Sequence, residues 1–115
     1  MAVLDERLLE QLSTLIGGDQ STLHELIETF LEEGQEIVSE MQLALTEKQI
    51  DVLRRGAHSL KSSAQDFGAV ELSELNATLE SQCKNGWPDN AEQQTKEIAS
   101  KFSEASAELT RYMSR

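Results

Sequence analysis

A chain of 115 residues with a formal net charge of -11 and 38% hydrophobic residues is large enough for one helical domain with its own core. It is too acidic to attract nucleic acid or an anionic membrane, since both are polyanions. The lone Cys83 excludes an internal disulfide, and no stretch reads as a membrane span or signal-peptide core, because Asp5, Glu6 and Arg7 interrupt the start of the chain. The expectation is a single domain over 1–115, monomeric and cytoplasmic, with a protein partner.

Few aromatics, a single proline at Pro88 and abundant Leu, Ala, Glu and Gln favour helix nearly everywhere. Leu4, Leu8, Leu12 and Leu15 or Ile16 predict a short amphipathic helix from about Asp5, closed by Gly17-Gly18. Asp19 is placed to cap a longer second helix carrying Leu23, Ile27, Phe30, Gly34, Ile37 or Val38, Met41 and Leu45. Thr46-Glu47-Lys48-Gln49 has capping-box spacing, so the third helix is expected to begin near Glu47. Its apolar stripe is Ile50, Leu53, Ala57, Leu60, Ala64 and Phe67, and Gly68 stops it. Ala69, Leu72, Leu75, Leu79 and Gln82 or Cys83 mark the inner face of a fourth helix, closed by Asn85-Gly86. Trp87 and Pro88 pin the loop that follows. Asn90 with Gln93 offers a cap for a last helix with Ile98, Phe102, Ala105, Leu109 and Tyr112 inside. The fold class is all-α: an antiparallel four-helix bundle with an additional short N-terminal helix closing one end.

His58 follows Ala57 by about 100° of helix rotation and so leaves the buried stripe. Arg54 and Arg55 lie one turn before it, Lys61 and Ser62 one turn after, and Gln65 extends the same face. Between Val52 and Gln65 there are three Arg or Lys and no Asp or Glu, in a chain with 21 acidic residues. A merely solvated face would share the acidic average. A neutral imidazole nitrogen is a nucleophile, and the surrounding cations suit an incoming anion, with Lys61 best placed to meet it. Helical side chains lean toward the N-terminus, so Ser62 hangs over His58, and its small size leaves room for a docking partner. His24 reads as solvated and Cys83 as a buried small hydrophobe. The acidic faces at Glu32, Glu33 and Glu36 read as aids to solubility. A di-metal bundle would need Glu-x-x-His pairs, but Ser21 and Arg55 precede the two histidines by three.

The run Ala57-His58-Ser59-Leu60-Lys61-Ser62-Ser63 followed by Gly68-Ala69 resembles the signature of histidine-containing phosphotransfer domains. The resemblance extends to the Leu23 to Phe30 region, Leu72-Ser73-Glu74-Leu75 and Leu79-Glu80. It implies that His58 accepts a phosphoryl group from an aspartate of one receiver domain, in a hybrid sensor kinase. It would then return the group to an aspartate of another receiver, in a response regulator. Ser62 stands where the family often has glycine. The family's receivers dock beside the histidine, which nominates Leu12 and Ile16 of the first helix and Phe30 of the second, with Arg54 and Arg55 beside the histidine. Without a glycine-rich nucleotide loop, no ATP-dependent kinase activity is expected. With no acidic cluster beside His58, no metal or cofactor is expected on this chain, and Mg²⁺ belongs to the receiver. The alternative is a non-catalytic helical adaptor that binds receivers without transferring phosphate. A purely structural bundle leaves the basic face around His58 unexplained.

Overall fold

Apolar residues three and four apart wind the chain into five helices in the computed structural model, which describes residues 3–115. They are α1 (Glu6–Leu15), α2 (Gln20–Glu47), α3 (Ile50–Asp66), α4 (Val70–Cys83) and α5 (Ala91–Met113). Residues 1 and 2, inside the single domain expected over 1–115, lie outside the described part. Among the described residues there is no strand, and no helix is long and apolar enough to cross a membrane.

Helices α2 to α5 close a four-helix bundle in which α2 and α4 each pack on both α3 and α5, while α1 lies on α2 and α3. Short turns make successive helices antiparallel. The long axis of the molecule is 42 Å, about the length of the 28-residue α2 at roughly 1.5 Å per residue. Helix α2 therefore forms one complete wall. Phe30 ties the layers together: its ring stacks on Phe67 at 4.7 Å between centroids and meets Phe102 of α5 edge-on at 5.8 Å. Gly34 completes this contact, because a Cβ there would collide with the Phe102 ring.

Most of the expected signals are where the local chemistry put them. The Asp19 carboxylate accepts from the Ser21 amide at the start of α2, and Gly17 and Gly18 adopt positive φ after α1. Two expected caps are absent. Thr46 to Gln49 form no capping box. Instead α2 continues through Glu47, Lys48 turns the chain at φ 56, and α3 begins at Ile50 with no side-chain cap. Continuing α2 keeps its backbone hydrogen bonds, and Lys48 closes the helix by donating its own amide to Ala44. A left-handed residue with a side chain costs about 1–2 kcal/mol. The Lys48 ammonium lies 5.0 Å from the centre of the Trp87 ring, a contact worth about 0.5–1 kcal/mol at an exposed site. Asn90 likewise caps nothing; its side-chain oxygen accepts from Gln94 instead.

Gly68 carries two requirements at once. It stops α3 at φ 83, and a Cβ there would stand 2.5 Å from the carbonyl oxygen of Asp5, whose amide donates to the Gly68 carbonyl at 2.8 Å. Gly68→Ala is expected to destabilise by roughly 2–5 kcal/mol, the sum of left-handed strain and overpacking. Urea denaturation measures this; a loss under about 1 kcal/mol would mean that the segment before α1 moves aside without penalty.

Candidate functional site

Burial of Leu53, Ala57, Leu60 and Ala64 fixes the rotation of α3, and that rotation presents His58 at the surface with its side chain 62% exposed. Beneath the ring lies a residue from the next helix. Glu80 of α4 is only 9% exposed, its Oε2 stands 2.5 Å from His58 Nδ1, and its Oε1 accepts from Lys61 Nζ at 2.6 Å. The Ser73 hydroxyl donates to the Lys61 carbonyl at 2.7 Å and pins α4 against α3 in the register that this contact needs.

Burying a carboxylate normally favours its neutral form. Here the hydrogen bond from Lys61, followed by that from His58, outweighs desolvation and holds the Glu80 carboxyl below its ordinary range. An ionised carboxylate can only accept, so Nδ1 of His58 is the donor to Glu80. In the neutral ring this contact selects the tautomer with its lone pair on Nε2, which takes part in no hydrogen bond among the described residues.

On the other side of His58 a groove runs between α2 and α3. Leu26, Phe30 and Ile37 form its α2 wall. Ser59, Ser62 and Ser63 form the α3 wall, and Leu12 of α1 and Phe67 complete it. The groove is open because the α3 wall is built of small hydroxyl side chains. Among the described residues, no group of three or more His, Cys, Asp or Glu could hold a metal ion.

The Hpt domain family model matches residues 25–113, a span that includes His58, Lys61 and Glu80. The chain belongs to the Hpt domain family. Phosphorelay protein LuxU of Vibrio harveyi is 32% identical over 82 residues, 71% of this chain and 70% of that protein. The crystal structure of histidine-containing phosphotransfer protein B (HptB) from Pseudomonas aeruginosa PAO1 superposes with a TM-score of 0.90 at 24% identity, covering 98% of this chain and 96% of that one. The HPT domain of a sensor hybrid histidine kinase from Shewanella gives 0.78 at 18% identity, covering 97% and 94%. Histidine phosphotransfer in a multistep phosphorelay, the function expected from the sequence, is the function of this Hpt domain. Its partners are phosphorelay proteins such as receiver domains.

The Hpt site differs in several details from what helical spacing alone suggests. Lys61 is not free to wait for an anion but is paired with Glu80, the residue that sequence reasoning missed. The basic stretch of α3 is thus partly neutralised from α4. Ser62 is exposed on the groove wall as expected, whereas Gln65 is exposed outside the groove. Arg54 is half-buried and acts electrostatically on Cys83, while Arg55 is exposed and donates to the Asp51 carbonyl. Of the docking candidates, Leu12 lines the groove. Ile16 packs against the core outside it, and Phe30 is a core residue, 4% exposed, that lines the α2 wall only at its base. His24 is half-buried with Nε2 lacking a hydrogen-bond partner, so it is not the solvated residue expected. Cys83 is buried, and burial pushes its thiol pKa up.

If receivers approach across the α3 wall, Ser62→Trp is expected to weaken receiver binding tenfold or more, about 1.4 kcal/mol. Ser62→Gly is expected to preserve binding, and circular dichroism to find both variants folded. Normal binding by a folded Ser62→Trp protein would move the docking face elsewhere.

Proposed function

We propose that His58 is the phosphoacceptor, shuttling a phosphoryl group between a receiver of a hybrid sensor kinase and the receiver of a response regulator. The observation that carries this reading is the exposed His58 ring with Nδ1 tied to buried Glu80. The lone pair of Nε2 attacks the phosphorus of a receiver's aspartyl phosphate; the N–P bond forms as the acyl O–P bond breaks, and the aspartate leaves as carboxylate. The hydrogen on Nδ1 stays in place, and the ring gains positive charge that the Glu80 carboxylate opposes. The reverse sequence delivers the group to the second receiver. Lys61 keeps Glu80 ionised. Mg²⁺ is held by the receiver's own carboxylates, and the chain acts as a monomer in the cytoplasm.

The test is transfer from a panel of radiolabelled phospho-receivers. An acid-labile, base-stable label on this chain, mapped to His58 by peptide sequencing, is the expected result. Stable receiver binding without label would favour the adaptor reading.

A further inference from the structure

Resting on the assignment of His58 as acceptor, we infer that Glu33 and Asp66 select and orient receivers. The receiver that fits carries lysine or arginine on the part of its docking face that meets α2, beside its anionic phosphoryl centre. The apolar floor of the groove offers contact to any receiver and discriminates little. Its charged lining is different: Glu33 stands on the α2 side and Asp66 on the α3 side, and no lysine or arginine lines it. Both are exposed, and among the described residues neither takes part in an ion pair. Behind Glu33 the sign is uniform, since α2 carries seven glutamates and no lysine or arginine from Gln20 to Glu47.

The opposite flank of His58, toward α4, holds Lys61 on Glu80 and Arg54 beside Cys83. His58 therefore stands on a boundary, with Arg54 and the mutually compensated Lys61–Glu80 pair on the α4 flank and uncompensated carboxylates on the α2 flank. An aspartyl phosphate is strongly anionic. Brought to Nε2 it meets a charge-balanced pair on one flank and is repelled from the other unless the receiver places cations over Glu33 and Asp66. A receiver turned end for end would set its acidic centre against those carboxylates, and like-charge juxtaposition across an interface costs several kcal/mol. The same polarity steers the correct encounter and makes its rate depend on salt. Exposed carboxylates elsewhere on the chain need no explanation beyond solubility. These two differ because they are the charged part of the wall that flanks the nucleophile.

The experiment compares the full chain with a Glu33→Lys/Asp66→Lys variant and a Glu33→Gln/Asp66→Asn variant. The probe is the receiver domain that the wild-type chain binds most tightly in the panel above. Affinity and phosphotransfer are measured at low and high salt. His58 labelling by phosphoramidate, which needs no docking, is followed in parallel. The lysine pair is expected to weaken binding and slow transfer by about tenfold or more at low salt and to remove or reverse the salt dependence, with a smaller loss for the amide pair. Phosphoramidate labelling should proceed at the wild-type rate in all three. Equal receiver affinity and transfer for all three proteins at low salt overturns the inference. Binding with the expected charge dependence by a wild-type chain that takes no label at His58 supports the docking inference and refutes the acceptor assignment instead.

Discussion

His58→Gln is expected to abolish phosphoryl acceptance completely while leaving the bundle folded. No second histidine can substitute, because His24 lies in the first turns of α2 with its Nε2 buried. The side chain of His58 is 62% exposed, so its removal opens no cavity. Its one energetic tie is the hydrogen bond to Glu80. Glutamine can donate an amide hydrogen to the same carboxylate, so the change in unfolding free energy should stay within about 1 kcal/mol. His58→Ala leaves one oxygen of Glu80 to water and should be the less stable of the two. Label on the glutamine variant would relocate the acceptor. An unfolded glutamine variant would mean that the imidazole supports the core.

The second large effect is expected at Glu80. Glu80→Gln keeps the shape and an acceptor for Lys61 but removes the charge that fixes the tautomer and opposes the developing imidazolium. A hydrogen bond to a charged group contributes about 1.5–3 kcal/mol, so transfer should slow by roughly 10- to 100-fold. Receiver affinity should change little, since Glu80 is not part of the groove wall. Stability supplies a second readout. The folded-state pKa of Glu80 lies below its ordinary value of 4.5, mainly through Lys61, so the native state binds fewer protons than the unfolded state in that acidic range. The contribution is fully present above the ordinary carboxylate pKa and is lost as the pH falls through the depressed folded value. Acid titration of unfolding should therefore be less steep below pH 4.5 in Glu80→Gln than in the wild type. Equal transfer rates and equal acid profiles would remove Glu80 from the mechanism.

The elements most legible in the sequence are those governed by neighbours along the chain. The stripe of α3, the Asp19 cap and the stops at Gly17, Gly18 and Gly68 follow from helical period and backbone conformation. The start of α3 was less legible because Lys48 completes its turn against Trp87, and that contact does not show in local spacing. Gly34 looked like one more member of the α2 stripe, yet its role is to admit the Phe102 ring of α5. The histidine and its face were readable from α3 alone. Its carboxylate partner was not, because Glu80 is 22 residues away and the pairing depends on the register of α4 on α3. Leu79-Glu80 falls within the family resemblance without a role for Glu80, and the other sequence trace is that polar Asn76 and Glu80 follow Leu72 at four-residue intervals down a buried face of α4.

Helix α3 works as a partition. Glu80, with Lys61 bonded to it, meets His58 on its α4 side, whereas the open groove lies on its α2 side. A substitution at Leu26 or Ile37 can reshape the groove without touching any group bonded to the imidazole. With His58 as the proposed acceptor and receivers docking in the groove, wiring and reactivity would drift separately: the same phosphohistidine chemistry would be reassigned to a different signalling circuit by changes confined to one side of a single helix.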